Sequence, residues 1–315
     1  MPVTTVPYTT ADAFAHAQLA YCKETLSPGK PTISDSNSTK QAVVWKVTLD
    51  MRQDFLLDGL SVLEASVRLV ESSRNQWTDT QVVDTLWNEG DVVDRVTSNL
   101  FMHTRIFIDC VLKALSPGWC LSIEAQVVAK GQGARMDHLI KLVYDENEDR
   151  ENVFDQKNAS RFNRKCLVIV EEKRPGFVRP HEWVEFAAST LPQSDGEVKP
   201  NPLAANDAKD LLPAVHAHLP QVLKYGHNVT CGRVLLISYG QAVALRWHGA
   251  LKARAGYTAI QGMTVSLESQ RICLVALILE ALVDMKWITV KEQVLAPGDE
   301  LLACMRNYKA PGSSV

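Results

Sequence analysis

No CxxC pair, no bilayer-length apolar run and no dominant charge sign occur in this chain, and each absence removes a class of function. The seven cysteines, at 22, 110, 120, 166, 231, 273 and 304, have neither CxxC spacing nor partner histidines. Their odd number in a long chain argues against a disulfide framework and against a zinc ribbon. They read as reduced core thiols of an intracellular protein. The longest apolar run, Ile272 to Leu279, stops at Glu280. That is too short to span a bilayer, so it reads as a buried helix and no membrane partner is expected. A charged segment followed by an apolar one is missing near Met1, so no signal peptide is expected. Lys and Arg number 33 against 36 Asp and Glu, a net charge of −3. Any surface for nucleic acid must therefore be a local basic patch. There is no GxxxxGK[ST] phosphate loop and no GxSxG elbow. Gly131-Gln132-Gly133 lacks the third glycine and the following helix of a dinucleotide site.

What remains is 315 residues of ordinary globular composition, 46% apolar and 7% aromatic. A short helix is expected over 11–25, then a loop rich in Ser, Pro and Asn over 26–40, then a strand over 42–49. Leu56, Leu60, Leu63, Val67 and Val70 recur at three and four, which predicts a helix within 52–72. Thr78 or Asp79 reads as the cap of a further helix through Leu86. A long helical pattern runs over 91–115 and ends at Ser116-Pro117-Gly118. The period then changes, giving strands over 120–129, 137–145 and 166–173. The last is continuously apolar, as expected for a strand buried on both faces. Five prolines break up 174–207. A helix then reaches Tyr225, interrupted or begun at Pro220. Strands follow over 233–240 and 241–248, and a last helix over 266–285.

The chemistry sits at two strand ends. Asp137 opens one strand and Glu171-Glu172-Lys173 closes the next. Residues two apart on a strand share a face, so Glu171 and Lys173 project together while Glu172 turns away. If the two strands are neighbours, Asp137, Glu171 and Lys173 converge. Two carboxylates and an ammonium suit a hard divalent cation, which is held by carboxylate oxygens and waters and stabilises charge on a phosphate. The same residues also read more simply, with Glu171 and Lys173 as a strand-end ion pair and Asp137 as a turn residue.

Asp137, the Glu171-X-Lys173 element, Gln221 and Tyr225 together resemble the PD-(D/E)XK nuclease superfamily, the restriction-endonuclease-like fold, in its RecB-type QxxxY variant. Met136 stands where that name has proline. The resemblance covers about residues 85–250. It implies an α/β fold with a central mixed sheet of about four strands flanked by helices. A mainly helical extension, 1–85, would precede the core at 86–250, and a C-terminal helical segment, 251–315, would pack on it. It also implies hydrolysis of DNA or RNA with Mg²⁺ or Mn²⁺. Asp137, Glu171, Lys173, Gln221 and Tyr225 would be the catalytic set, and Asp137, Glu171 and Glu89 the metal ligands. Asp91 and Asp94 compete with Glu89 for the helix-borne acid. Gln221 and Tyr225, four apart, share a helix face. A binding or scaffold module that keeps the fold without cleaving is the alternative.

Arg161, Arg164, Lys165, Arg174 and Arg179, with Lys173, form a locally basic stretch around the proposed site. It suits nucleic-acid phosphates or an ordinary solvated loop. Glu124 is a further carboxylate on the first of the three strands. The eight histidines have no ligand spacing, and His216 and His218 read as surface residues.

Overall fold

The computed structural model describes residues 3–24, 47–52, 54–71, 77–82, 85–86, 89–128, 135–149, 151, 153–190, 212–248 and 258–306. The expected loop at 26–40, the residues 42–46, Gly131 to Gly133 and Asp207 lie outside them.

The longest regular run begins with α3, Glu89–Val96, continues through a π-helical turn, Thr97–Phe101, and ends as α4, Met102–Leu115. Three strands follow, β6 (Trp119–Val128), β7 (Arg135–Tyr144) and β8 (Lys165–Glu172). They form an antiparallel meander. A short helix, α5 (Gln156–Ala159), sits in the β7–β8 connection. Among the described residues two helices come next, α6 (Pro180–Thr190) and α7 (Pro213–Val229). The chain returns as β9 (Arg233–Ile237), which lies parallel to β8. Pro213 occupies the first turn of α7, where its missing N–H is not needed. Pro220 lies inside the same helix, which continues through it rather than starting there.

The main sheet has seven strands rather than about four, in the order β3-β11-β10-β9-β8-β7-β6. The additions come from both ends of the chain. β10 (Gln241–Arg246) and β11 (Thr258–Ser266) extend the sheet beyond β9 as antiparallel neighbours. β3 (Val47–Met51) closes that edge, parallel to β11.

Among the described residues the first 85 are not mainly helical. Besides α1 (Ala11–Ala15) and α2 (Leu57–Val70) they hold β1 (Val3–Tyr8), β2 (Lys23–Glu24), β3, β4 (Trp77–Val82) and, at their end, β5 (Thr85–Leu86). The helix expected from Thr78 to Leu86 is β4 and β5 instead. β4 pairs antiparallel with β1, a partner far away in sequence. The C-terminal segment also departs from an all-helical reading. It holds β11, α8 (Gln270–Asp284), the hairpin β12 (Ile288–Lys291) and β13 (Val294–Pro297), and α9 (Asp299–Ala303).

Helices cover both faces of the sheet. On one face lie α4 and α8, with α2 packed outside against α8, and their core includes Ile140, Val168, Val170, Leu235 and Leu277. On the other lie α6 and α7, whose core includes Leu139, Ile169, Leu236, Val222 and Trp183. Burial on both sides makes β8 apolar from Leu167 to Val170. The apolar run of α8 is buried all round, as read from sequence. Two of its charged residues are engaged: Arg271 donates to the carbonyls of Phe14 and Asn99 at 3.2 Å each, and Glu280 pairs with Arg246 at 2.7 Å. Gly59 of α2 is required by the close approach to α8. A Cβ there would stand 2.8 Å from both Cβ and O of Ala276.

Candidate active site

The parallel pair β8–β9 brings its strand ends under α7, and the polar residues of β8 begin where its apolar run stops. Ligands of open α/β sheets gather at such carboxyl ends. Glu171 lies on the α7 face and is 1% exposed. Lys173 follows the strand, fixed by its backbone N–H donating to Ile237 O at 2.8 Å.

A chain of contacts joins four of the expected residues. Lys173 Nζ donates to Glu171 Oε1 at 2.5 Å. Gln221 Nε2 donates to the same oxygen at 2.8 Å and stands 2.6 Å from Tyr225 Oη. The four-residue spacing on α7 produces this stripe, and the helix lies against β8 and β9. Asp137 enters from β7, where its Oδ2 accepts the backbone N–H of Glu172 at 2.9 Å. It is the third residue of its strand rather than the first.

Glu89 starts α3 at an exposed position, and its charge reaches Lys173. Asp91 and Asp94 lie in the same helix, and no charge effect of theirs on Lys173 matches that of Glu89. Glu124 is engaged elsewhere, in a 2.5 Å ion pair with Lys141.

The electrostatics are those of crowded, dry carboxyls. Burial pushes the Glu171 carboxyl up to about 8; Lys173 opposes the rise and the charge of Asp137 adds to it. Burial alone would lower the Lys173 ammonium, but Glu171, Asp137 and Glu89 outweigh it and hold it above its ordinary value. Glu171 Oε2 is buried and has no hydrogen-bond partner among the described residues. A buried oxygen in that state is costly unless something else meets it.

Three further residues belong to this neighbourhood beyond those expected at the site. Glu172, fully buried on the opposite face, has His138 Nδ1 2.8 Å from its Oε1. Burial pushes Glu172 up to about 7 against the pull of His138. The His138 ring meets Phe101 edge-on at 4.8 Å, at the end of the π-helical turn. The third is His218, one turn before Gln221 and buried rather than on the surface, as is His216. Burial and then the Lys173 charge push His218 down to about 3, so it is neutral, and it donates to the Phe177 backbone. Strand alternation already turned Glu172 away from the site, but no sequence signal marks His138 or His218.

The basic residues do not form one rim. Lys165 begins β8 and Glu171 nears its end. Six residues at about 3.3 Å each put roughly 20 Å between them. Arg164 and Lys165 line a separate pocket with Lys141. Arg161 lies over the Phe162 ring at 5.5 Å. Arg174 is exposed directly after Lys173. Arg179 is paired with Glu182 at 3.1 Å.

Comparison with family models, with curated proteins and with solved structures gave no match for this chain. Among the described residues no helix is long and apolar enough to cross a membrane.

Proposed function

We propose that this protein is a metal-dependent phosphodiesterase acting on nucleic acid, of PD-(D/E)XK type. The observation that carries the reading is the contact chain Tyr225–Gln221–Glu171–Lys173, with Asp137 alongside from the neighbouring strand. A solvated ion pair at a strand end does not require burial, a helix-borne amide on the same oxygen, or a second carboxylate. The order helix, three antiparallel strands, helix and parallel strand supports a restriction-endonuclease-like core inside the seven-stranded sheet.

The residues fit Mg²⁺ or Mn²⁺. Glu171 Oε2 is a buried oxygen lacking a partner among the described residues, and the Asp137 charge acts on the Glu171 carboxyl. Asp137 and Glu171 would hold the cation, with Glu89 as the third acid within electrostatic range of Lys173. Mg²⁺ needs only one or two carboxylates, with waters and substrate phosphates completing its shell. When bound, such a cation stabilises phosphate charge and acidifies a water. Lys173 orients the attacking water and offsets charge at the phosphate. Gln221 holds Glu171 in place, and Tyr225 braces Gln221. Arg174 is the basic side chain best placed to meet the backbone next to the site.

A second reading keeps the fold without cleavage, as a binding or scaffold module. It is favoured by the engagement of Glu171 Oε1 with both Lys173 and Gln221. In addition, no three His, Cys, Asp or Glu among the described residues are grouped to hold a metal.

Labelled DNA and RNA incubated with Mg²⁺, Mn²⁺ or EDTA separate the two. The nuclease reading expects cation-dependent cleavage that falls by about 10²–10³ in Lys173→Ala, the usual effect of one charge-stabilising group. Absence of cleavage under every condition, from a chain with a normal cooperative melt, favours the scaffold.

A further inference from the structure

We propose that Cys166 and Cys231 are a reversible disulfide site, oxidised by a small peroxide that enters through a cationic pocket on the α7 face of the sheet. The two residues belong to adjoining strand starts. β8 and β9 are parallel with Ile169 facing Val234, and Cys231 stands just before β9. Neighbouring strands run about 4.7–4.9 Å apart, within the Cα separation of roughly 4.4–6.8 Å that a disulfide spans. The two thiols lie close enough for each to shift the other's ionisation. Cys231 Sγ also lies 3.4 Å from the carbonyl of Leu167, the residue after Cys166.

A bulge turns Cys166 outward. Ile140 faces Val168 but Lys141 faces Cys166, so β8 holds one extra residue, Leu167, at this point. Cys166 then shares a face with Lys141 and lines a pocket of about 440 Å³ with Lys141, Arg164, Lys165, Val229 and Thr230. Arg164 keeps a left-handed backbone there, with φ of 63°. Cys231 and burial hold the Cys166 thiol well above its ordinary value, with the Lys141 charge opposing them. The neighbouring Cys166 and Arg233 draw the Cys231 thiol down against its burial.

The chemistry balances with hydrogen peroxide as the oxidant. Cys166, the thiol that lines the pocket, gives up its proton and attacks one peroxide oxygen; an S–O bond forms, the O–O bond breaks, and the departing oxygen takes up that proton and leaves as water. The Cys231 sulfur then attacks the Cys166 sulfenic acid. An S–S bond forms, the S–O bond breaks and a second water leaves. The two sulfurs together lose two electrons and peroxide gains them. The bond bears on the candidate site, because Cys231 N–H donates to Gly226 O at 2.9 Å and so ties the pair to the end of α7.

The test exposes the folded full-length chain to hydrogen peroxide, then denatures it, alkylates free thiols and maps peptides by mass spectrometry. Seven titratable thiols should fall to five. The peptides of Cys166 and Cys231 should be joined with loss of two hydrogens, and dithiothreitol should restore the seven thiols. In Cys231→Ser, peroxide should leave a sulfenic acid on Cys166 that dimedone captures. Recovery of both cysteines alkylated after peroxide, or a disulfide joining either to another cysteine, overturns the proposal. The mapping of the unmutated chain decides the matter even if Cys231→Ser does not fold.

Discussion

Replacing Glu171 by glutamine separates a carboxyl held for a cation from one held for stability. Folding takes this group out of water and raises it from an ordinary 4.5 to about 8. The folded chain therefore keeps a proton that the unfolded chain has already released. Between those values the unfolded state binds fewer protons, so stability falls as pH rises. At about 1.4 kcal/mol per pH unit the deficit is about 3 kcal/mol at pH 7 and about 5 kcal/mol above pH 8. Glutamine has nearly the same volume and does not titrate. Lys173 loses one counter-charge in the variant but keeps Asp137 and Glu89. The stability difference, variant minus unmutated chain, should thus climb by several kcal/mol from pH 5 to pH 8. Glu172, raised to about 7, titrates in both chains and drops out to first order. Urea unfolding at unit pH steps in EDTA measures the difference. Added Mn²⁺ at pH 7 should raise the melting temperature of the unmutated chain, with proton release in calorimetry, and do neither in Glu171→Gln. A difference independent of pH refutes the burial argument. Equal stabilisation of both chains by Mn²⁺ removes Glu171 from the cation site.

Two other outcomes follow from particular contacts. Gly226→Ala would place a Cβ 2.2 Å from Trp247 Cζ2 and 2.6 Å from Cys231 O. Overpacking of that kind costs about 1–3 kcal/mol, read as a lower urea midpoint, and an unchanged midpoint would mean that Trp247 gives way freely. Reversing Arg174, exposed beside the site, to glutamate should flatten the salt dependence of nucleic-acid binding by about one unit of slope. Binding identical to that of the unmutated chain would make this arginine ordinary surface.

The elements around the site were legible because local backbone geometry writes them into the sequence. β8 is buried on both faces and reads as one apolar run ending in Glu-Glu-Lys. Gln221 and Tyr225 share a helix face simply by being four apart. The alternation of a strand already turned Glu172 away from Glu171. Apolar periodicity misread 78–86 as helix, because what makes 77–82 a strand is pairing with residues 3–8.

Other features belong to the tertiary structure alone. The parallel pairing of β3 with β11, which widens the sheet to seven strands, joins residues from opposite ends of the chain. The separation of Lys165 from Glu171 depends on the direction of β8, which spreads a basic stretch that looks continuous in sequence. The contact of His138 with Glu172, and the placing of Cys166 near Cys231, require strand register and a bulge. Residue order and spacing determined which side chains line up along one element. Packing decided which elements became neighbours and which charges lost their water, and that loss lifts Glu171 to about 8. Dehydration is a property of the assembled layers, so no spacing within a single strand or helix encodes it.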